Sequence, residues 1–247
     1  MKVIVHGVTG KMGQVVANLT KNGYAGSEYV AGISPDVVTE MPGLYKTPEK
    51  CTEQADVLID FSFHGATKAL LDYCVSRNLA AVIATTGHTE EEEAYIKKAS
   101  EKIAVFHSAN MSVGVAVTAD LVKRATKAFP GANIEIIETH HNQKLDAPSG
   151  TALIMANAVQ EVRPECTINS GRTGHGKRTE NEIGIHSLRI GNVVGLHEIL
   201  ISTGNETITI KHQANSRDLF GEGAVRAAQF ICNKKPGLYN MTDLVGE

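Results

Sequence analysis

Through the first half of the chain, short apolar runs alternate with stretches whose apolar residues recur at helical spacing. VIVHG (3–7), YVAGI (29–33), DVLIDFS (56–62), AAVIATT (80–86) and IAVFHS (103–108) read as strands. Between them, GKMGQVVANLTKN (10–22), ATKALLDYCVSRN (66–78) and TEEEEAYIKKASE (89–101) read as helices, the last with Thr89 as N-cap before an acidic first turn. Continuous apolar strands separated by helices predict a parallel sheet covered on both faces, a doubly wound α/β domain.

After residue 112 the texture changes. A long helix over about 112–129 stops before Pro130-Gly131, and ANIEIIETHH alternates like a half-buried strand. The helix TALIMANAVQEV and a polar, glycine-rich loop, SGRTGHGKRTENEIG (170–184), come next. IHSLRI, GLHEILISTG and NETITIKHQ then follow without intervening helices, with TGNET as a hairpin turn. Such a run predicts an antiparallel or mixed sheet in an α+β region. The closing helix, about 219–233, is expected to return to the first domain. The expected organisation is therefore residues 1–111 with 219–247 as one domain and 112–218 as another.

Composition narrows the function classes. The 247 residues are 42% hydrophobic and 21% charged, with a net charge of −3. That balance argues against a nucleic-acid or polybasic membrane surface, each of which needs clustered positive charge. No apolar run is long enough to span a bilayer, and a strand begins at the first residues, so no targeting peptide and a cytoplasmic location are expected. The four cysteines lie far apart without a CxxC pair and read as reduced structural thiols.

Two stretches carry chemistry. VIVHGVTGKMGQ sets Gly7, Gly10 and Gly13 between the first strand and first helix. Glycines there permit a tight turn, a close approach of backbone to a diphosphate, and packing of helix on sheet, while the helix amides face the anion. The spacing is GxxGxxG, with Thr9 where a middle glycine is commoner. The position, at the first strand-to-helix turn, points to a Rossmann-like dinucleotide site. An acidic residue near the end of the second strand would bind an adenosine ribose. Here Ser34 takes that slot, followed by Pro35 and Asp36. A serine does not repel a 2′-phosphate and Lys11 adds positive charge, so NADPH is expected to be tolerated, with NADH as the alternative.

The second stretch is ETHHNQKLDAPSGTA (138–152). Strand alternation sends Glu138 and His140 one way, Thr139 and His141 the other. Lys144 supplies a compact cation, Ser149 an N-cap, and the Gly150 and Thr151 amides a second anion site. Two anion grips and a proton donor suit a small dicarboxylate with a reducible double bond. The alternative is a polar strand end and an ordinary capped helix. A zinc site is not expected here: adjacent histidines point apart and no third ligand stands at helical spacing. The remaining histidines, among them His88, His107 and His197, receive no catalytic assignment.

The pattern E-x-H-H-x-x-K-x-D-A-P-S-G-T-A resembles the signature of the dihydrodipicolinate reductases (4-hydroxy-tetrahydrodipicolinate reductases) of lysine and diaminopimelate synthesis. The resemblance runs nearly end to end. It takes in GVTGKMG, IDFS with Thr67, ATTG (84–87), SANMSVGV (108–115), EIGIHSLRIGNVVGLHEI, RDLFGEGAVRAAQF and GLYNMTDLVG. It implies a reductase that delivers hydride from NADPH or NADH to an unsaturated ring dicarboxylate with loss of water. His140 would be the general acid, with Lys144 assisting or donating. His141, Lys144, Ser149, Gly150 and Thr151 would hold the substrate carboxylates. Gly7, Val8, Thr9, Gly10, Lys11 and Met12, then Ser34, Ala84, Thr85, Thr86, Ser108, Ala109, Asn110 and Met111, would line the dinucleotide. It also implies a homotetramer, which would cover the edges of the second sheet. Three positions depart from the family pattern: Ser34-Pro35 replaces an acidic-arginine pair, Ala84 a glycine, and Met111 an aromatic residue.

Two rivals remain. An aspartate-semialdehyde-type dehydrogenase would need a catalytic cysteine, and none lies near the HHxxK segment. A dinucleotide sensor without catalysis would keep the fold yet tolerate loss of His140. Loop 170–184, with Arg172, His175, Lys177 and Arg178, reads as solvated rather than as a lid or subunit contact.

Overall fold

The computed structural model describes residues 1–246. The chain divides into two compact units, residues 1–112 together with the segment from Asp218 onward, and Val113–Arg217.

In the first unit the elements are β1 (Lys2–His6), α1 (Lys11–Lys21), β2 (Glu28–Ile33), β3 (Leu44–Tyr45), β4 (Val57–Asp60), α2 (Thr67–Ser76), β5 (Ala80–Ile83), α3 (Glu90–Ser100) and β6 (Ala104–His107). Their strands pair in parallel, as the continuous apolar runs require. Ile4, Leu58, Ala81, Ile83 and Val105 pack with Leu70, Leu71 and Cys74 of α2 and Ile96 of α3. Thr89 caps α3 in a reciprocal box: its hydroxyl accepts from the Glu92 amide while Glu92 Oε2 accepts from the Thr89 amide at 2.8 Å.

Two glycines are obligatory at the first strand-to-helix turn. Gly7 has φ +79°, and a Cβ there would lie 2.2 Å from the Phe61 carbonyl oxygen; one on Gly13 would lie 2.0 Å from the Gly7 carbonyl oxygen.

The second unit contains α4 (Val113–Ala128), β7 (Asn133–His140), α5 (Gly150–Gln160), β8 (Thr167–Ser170), β9 (Glu182–Arg189), β10 (Gly195–Ser202) and β11 (Thr207–Ala214). The sheet order is β11-β10-β7-β9-β8. It is mixed: β10 runs antiparallel to β7 and β11, while β9 runs parallel to β7 and β8. Ile134 and Ile136 of β7, Ile183 and Ile185 of β9, and Ile199 and Ile201 of β10 pack against Val115 and Val122 of α4 and Met155 and Val159 of α5. Because side chains alternate along a strand, Glu138 and His140 continue the buried face begun by Ile134 and Ile136. The chain thus runs its apolar stripe directly into two titratable groups.

Beyond Asp218 the chain rejoins the first unit through α6 (Asp218–Ile231), β12 (Gly237–Tyr239) and α7 (Met241–Val245). The first sheet then has seven parallel strands, β12-β6-β5-β4-β1-β2-β3. A Cβ on Gly223 of α6 would lie 1.7 Å from the Met111 carbonyl oxygen, so this glycine lets the helix seat against the segment after β6.

Several elements differ from the sequence reading. The short strands β3, β8 and β12 are too brief to show a period, and β8 and β9 occupy the edges of what reads as one polar loop. That loop is also not wholly solvated. Arg178 donates to Glu135 Oε1 at 3.1 Å and to the Ile134 carbonyl at 3.0 Å, and Arg172 pairs with Glu182. Among the described residues no helix is long and apolar enough to cross a membrane, and all four cysteines are free thiols.

Candidate active site

In the first unit, Gly7 through Met12 follow β1, Ser34 follows β2, Ala84 through Thr86 follow β5, and Ser108 through Met111 follow β6. All four strands are parallel, so these segments gather at one edge of the sheet, beyond the strand carboxyl ends. Strand order reverses around β1, and ligands of such sheets bind at this edge. Helix α1 has no side-chain cap and no acidic residue in its first turn, which leaves its N-terminus suited to a phosphate. Thr9, Gly10 and Lys11 are exposed beside it. The residues present therefore fit a dinucleotide.

Ser34 is buried, and its hydroxyl lies 2.6 Å from that of Thr9. Thr85 is also buried and donates to Asp60 Oδ2 at 2.7 Å, while its oxygen accepts from the Ser62 amide at 2.9 Å. Asp60, fully buried, meets His6 Nδ1 at 2.6 Å. Ala84 and Met111 are buried, whereas Thr86 and Ala109 are exposed. Ser108 and Asn110 bond within their own turn: the serine hydroxyl donates to the Asn110 carbonyl at 2.8 Å, and Asn110 Oδ1 accepts from the Ser112 amide.

In the second unit the carboxylate of Glu138 organises the end of β7. It is fully buried and accepts two hydrogen bonds from the Arg189 guanidinium, at 2.9 and 2.8 Å, and a third from the Ser149 amide at 3.2 Å. His140 Nδ1 lies 2.5 Å from Glu138 Oε2. Burial opposes ionisation of Glu138, but hydrogen bonds from Arg189, Ser187 and His140 overcome it and bring the carboxyl down to about 2. An ionised Glu138 can only accept, so His140 carries a proton on Nδ1, and in the neutral ring Nε2 holds the lone pair.

Nε2 is kept uncovered by Gly195, where a Cβ would stand 3.2 Å away. Burial pulls the His140 pKa below its ordinary value, and Glu138 partly offsets this. The His140 and His197 rings meet edge to face at 5.1 Å. His197 Nε2 lies 3.1 Å from the Ser149 hydroxyl, which caps α5 by accepting from the Ala152 amide. Desolvation, aided by repulsion from His140, takes His197 down to about 4, so it stays neutral beside its neighbour.

The other polar groups surround this pair less tightly. Lys144 is half-buried and pairs with Asp146 at 2.7 Å. His141 Nε2 accepts from Arg217 at 3.4 Å. Gly150 is exposed with open space where a side chain would stand, so the start of α5 can be approached.

Arg189, His197 and Gly195 escape sequence reading. They lie on β9 and β10, far along the chain, and reach Glu138 and His140 only through strand register. His197 pairs opposite Glu138, and Arg189 stands beside His140. The sole hint in the sequence is the alternation of GLHEILIS, which places His197 on the same face as two buried isoleucines.

The profile described as dihydrodipicolinate reductase, N-terminus, matches residues 1–111, and its C-terminal counterpart matches 114–245. The chain belongs to the dihydrodipicolinate reductase family. A 4-hydroxy-tetrahydrodipicolinate reductase from Caldanaerobacter subterraneus subsp. tengcongensis is 46% identical, over 99% of this chain and 98% of its own. One from Clostridium novyi is 40% identical over the same shares. The dipicolinate-bound reductase from Paenisporosarcina sp. TG-14 superposes with a TM-score of 0.82, at 26% identity over 97% of each chain. The chain is thus an oxidoreductase with a Rossmann-like nucleotide-binding domain, and its cofactor is a pyridine nucleotide.

Proposed function

We propose that the first unit holds NADPH or NADH and that the second holds 4-hydroxy-tetrahydrodipicolinate, which is reduced to tetrahydrodipicolinate in lysine and diaminopimelate synthesis. The observation that carries the assignment of roles is the buried Glu138–His140 pair, with Nε2 left open by Gly195.

The bound cofactor supplies a hydride. One proton is consumed and one water lost, so that substrate, reduced cofactor and proton become product, oxidised cofactor and water. His140 holds that proton on Nε2 when cationic and donates it as negative charge develops on the ring. Glu138 keeps the imidazole in the Nδ1–H tautomer and steadies the cation that precedes donation. Arg189 keeps Glu138 ionised and aimed.

Lys144, His141, Ser149 and the Gly150 and Thr151 amides bind the two carboxylates. Dipicolinate, the ligand of the Paenisporosarcina reductase, is a dicarboxylate of this kind. The pairing of Lys144 with Asp146 is partly exposed and therefore weak, so a substrate carboxylate displaces the aspartate at little cost. Lys144→Ala removes a charge-assisted hydrogen bond. We expect a raised KM together with a lowered kcat, and kcat/KM down roughly 10- to 150-fold in steady-state assays.

On the nucleotide side, the residues assigned to the cofactor are Gly7 to Met12, Ser34, Ala84 to Thr86 and Ser108 to Met111. No carboxylate stands at position 34 to repel a 2′-phosphate, and Lys11 is exposed nearby in the chain. NADPH is expected to serve at least as well as NADH. The deciding experiment follows oxidation of the two cofactors in parallel, with substrate generated in place from pyruvate and aspartate semialdehyde. Substrate-dependent oxidation supports the reductase, and the ratio of rates reports the preference. Binding of both cofactors without oxidation would favour a sensor instead. A homotetramer that covers the edges of the second sheet belongs to the same proposal.

A further inference from the structure

A second group of titratable side chains lies entirely within the first unit, apart from Glu138 and His140. His88 follows β5, Glu93 is in the first turn of α3, and His107 ends β6. One ligand atom from each lies within 4.8 Å of the others. His107 Nε2 is 3.1 Å from Glu93 Oε1, and His88 Nδ1 is 3.9 Å from the same oxygen. The two imidazoles stand nearly perpendicular, at 82°, with centroids 5.2 Å apart.

The outer nitrogens of both rings already have partners. His107 Nδ1 lies 3.2 Å from the Ile83 carbonyl, which can only accept, so the proton is on Nδ1. A ring neutral in this tautomer turns its Nε2 lone pair toward a carboxylate oxygen 3.1 Å away, a contact that either a second ring proton or a bound cation satisfies. His88 Nε2 lies 2.9 Å from the Thr67 hydroxyl, which leaves Nδ1 turned toward Glu93. Histidines that ligate a metal are held in this way, with the far ring nitrogen hydrogen-bonded to a protein oxygen that fixes tautomer and orientation.

We propose that His88 Nδ1, His107 Nε2 and the Glu93 carboxylate bind a divalent transition-metal ion of the zinc class, with water as fourth ligand. Nitrogen and oxygen ligands at 2.0–2.1 Å in a tetrahedron stand about 3.3 Å apart, so the His107–Glu93 contact at 3.1 Å already has near-ligand spacing, and side-chain rotations bring His88 in from 3.9 Å. The His88 side chain is 1% exposed and that of Glu93 50%, so the site is rooted in the unit and open on the side of the acid. The ion would tie the segment after β5 to the end of β6 and the start of α3. It would thereby brace both loops assigned above to the nucleotide, but the metal site stands on this cluster and not on that assignment.

The test is titration of the full chain, stripped with chelator, with zinc by calorimetry and with cobalt by visible absorption. One equivalent of zinc is expected, with tetrahedral cobalt bands and a raised melting temperature. His88→Ala and His107→Ala should each abolish that equivalent. Thr67→Val, which removes only the outer partner of His88, should weaken binding about 10- to 100-fold. Glu93→Gln, on an exposed helix turn, tests the site without risk to the core and should also weaken it. Failure of the chain to take up micromolar zinc overturns the proposal, as does an equivalent retained in the folded Glu93→Gln and both histidine variants. Reductase activity in the stripped enzyme leaves the catalytic reading intact in either case.

Discussion

His140→Ala is expected to lower kcat by about 10²- to 10⁴-fold while substrate affinity stays close to that of the parent, because in the proposed role the variant loses a proton donor and not a carboxylate grip. Steady-state kinetics with either cofactor measure it, and an unchanged kcat removes His140 from the mechanism. The pH profile offers a second readout. Burial holds the His140 pKa below 6.5, so the cationic donor form is lost as pH rises through that lowered value. Activity of the parent should fall with rising pH from the acid side. Glu138→Gln withdraws the interaction that raises the His140 pKa, so the descending limb should move to still lower pH. A limb that moves upward, or stays put, would show that Glu138 does not hold the imidazolium.

Arg189→Ala is expected to be the most destabilising single change near the site. Glu138 is fully enclosed and accepts two bonds from that guanidinium, which also donates to the Asp146 carbonyl at 2.6 Å. Removing one partner of a buried pair leaves an uncompensated charge and costs about 3–5 kcal/mol. Denaturant unfolding of parent and variant measures the loss, and a difference under about 1 kcal/mol would refute a buried pair by the surface-pair standard. Lysine at 189 should recover only part, since a single ammonium cannot reproduce the bidentate fork.

The sign of the pH dependence follows from the depressed pKa of Glu138. A folded value of about 2 against an ordinary 4.5 means that this group stabilises the fold above about 4.5 and loses that contribution as pH falls toward 2. The gap between Arg189→Ala and parent should therefore narrow in acid.

What could be read from the sequence was whatever short-range geometry dictates. The apolar runs of β1, β4 and β5 are buried on both faces and so show no alternation, which is why a parallel, doubly covered sheet was legible without any contact being known. Gly7 and Gly13 were legible because the turn itself forbids a side chain. Ser149 as a cap and the adjacency of His140 to Lys144 are likewise properties of a dozen consecutive residues. Only tertiary structure decided which groups act on one another. Arg189 reaches Glu138 across 51 residues because β9 runs parallel to β7 in one register; a one-residue slip would turn it to the opposite face. His197 comes from an antiparallel neighbour, β12 completes the first sheet from the far end of the chain, and His88, Glu93 and His107 converge from three elements. Periodicity along a chain reports which side chains are buried. Their partners, and hence their charge states, are set by strand order and register, which the linear pattern does not encode.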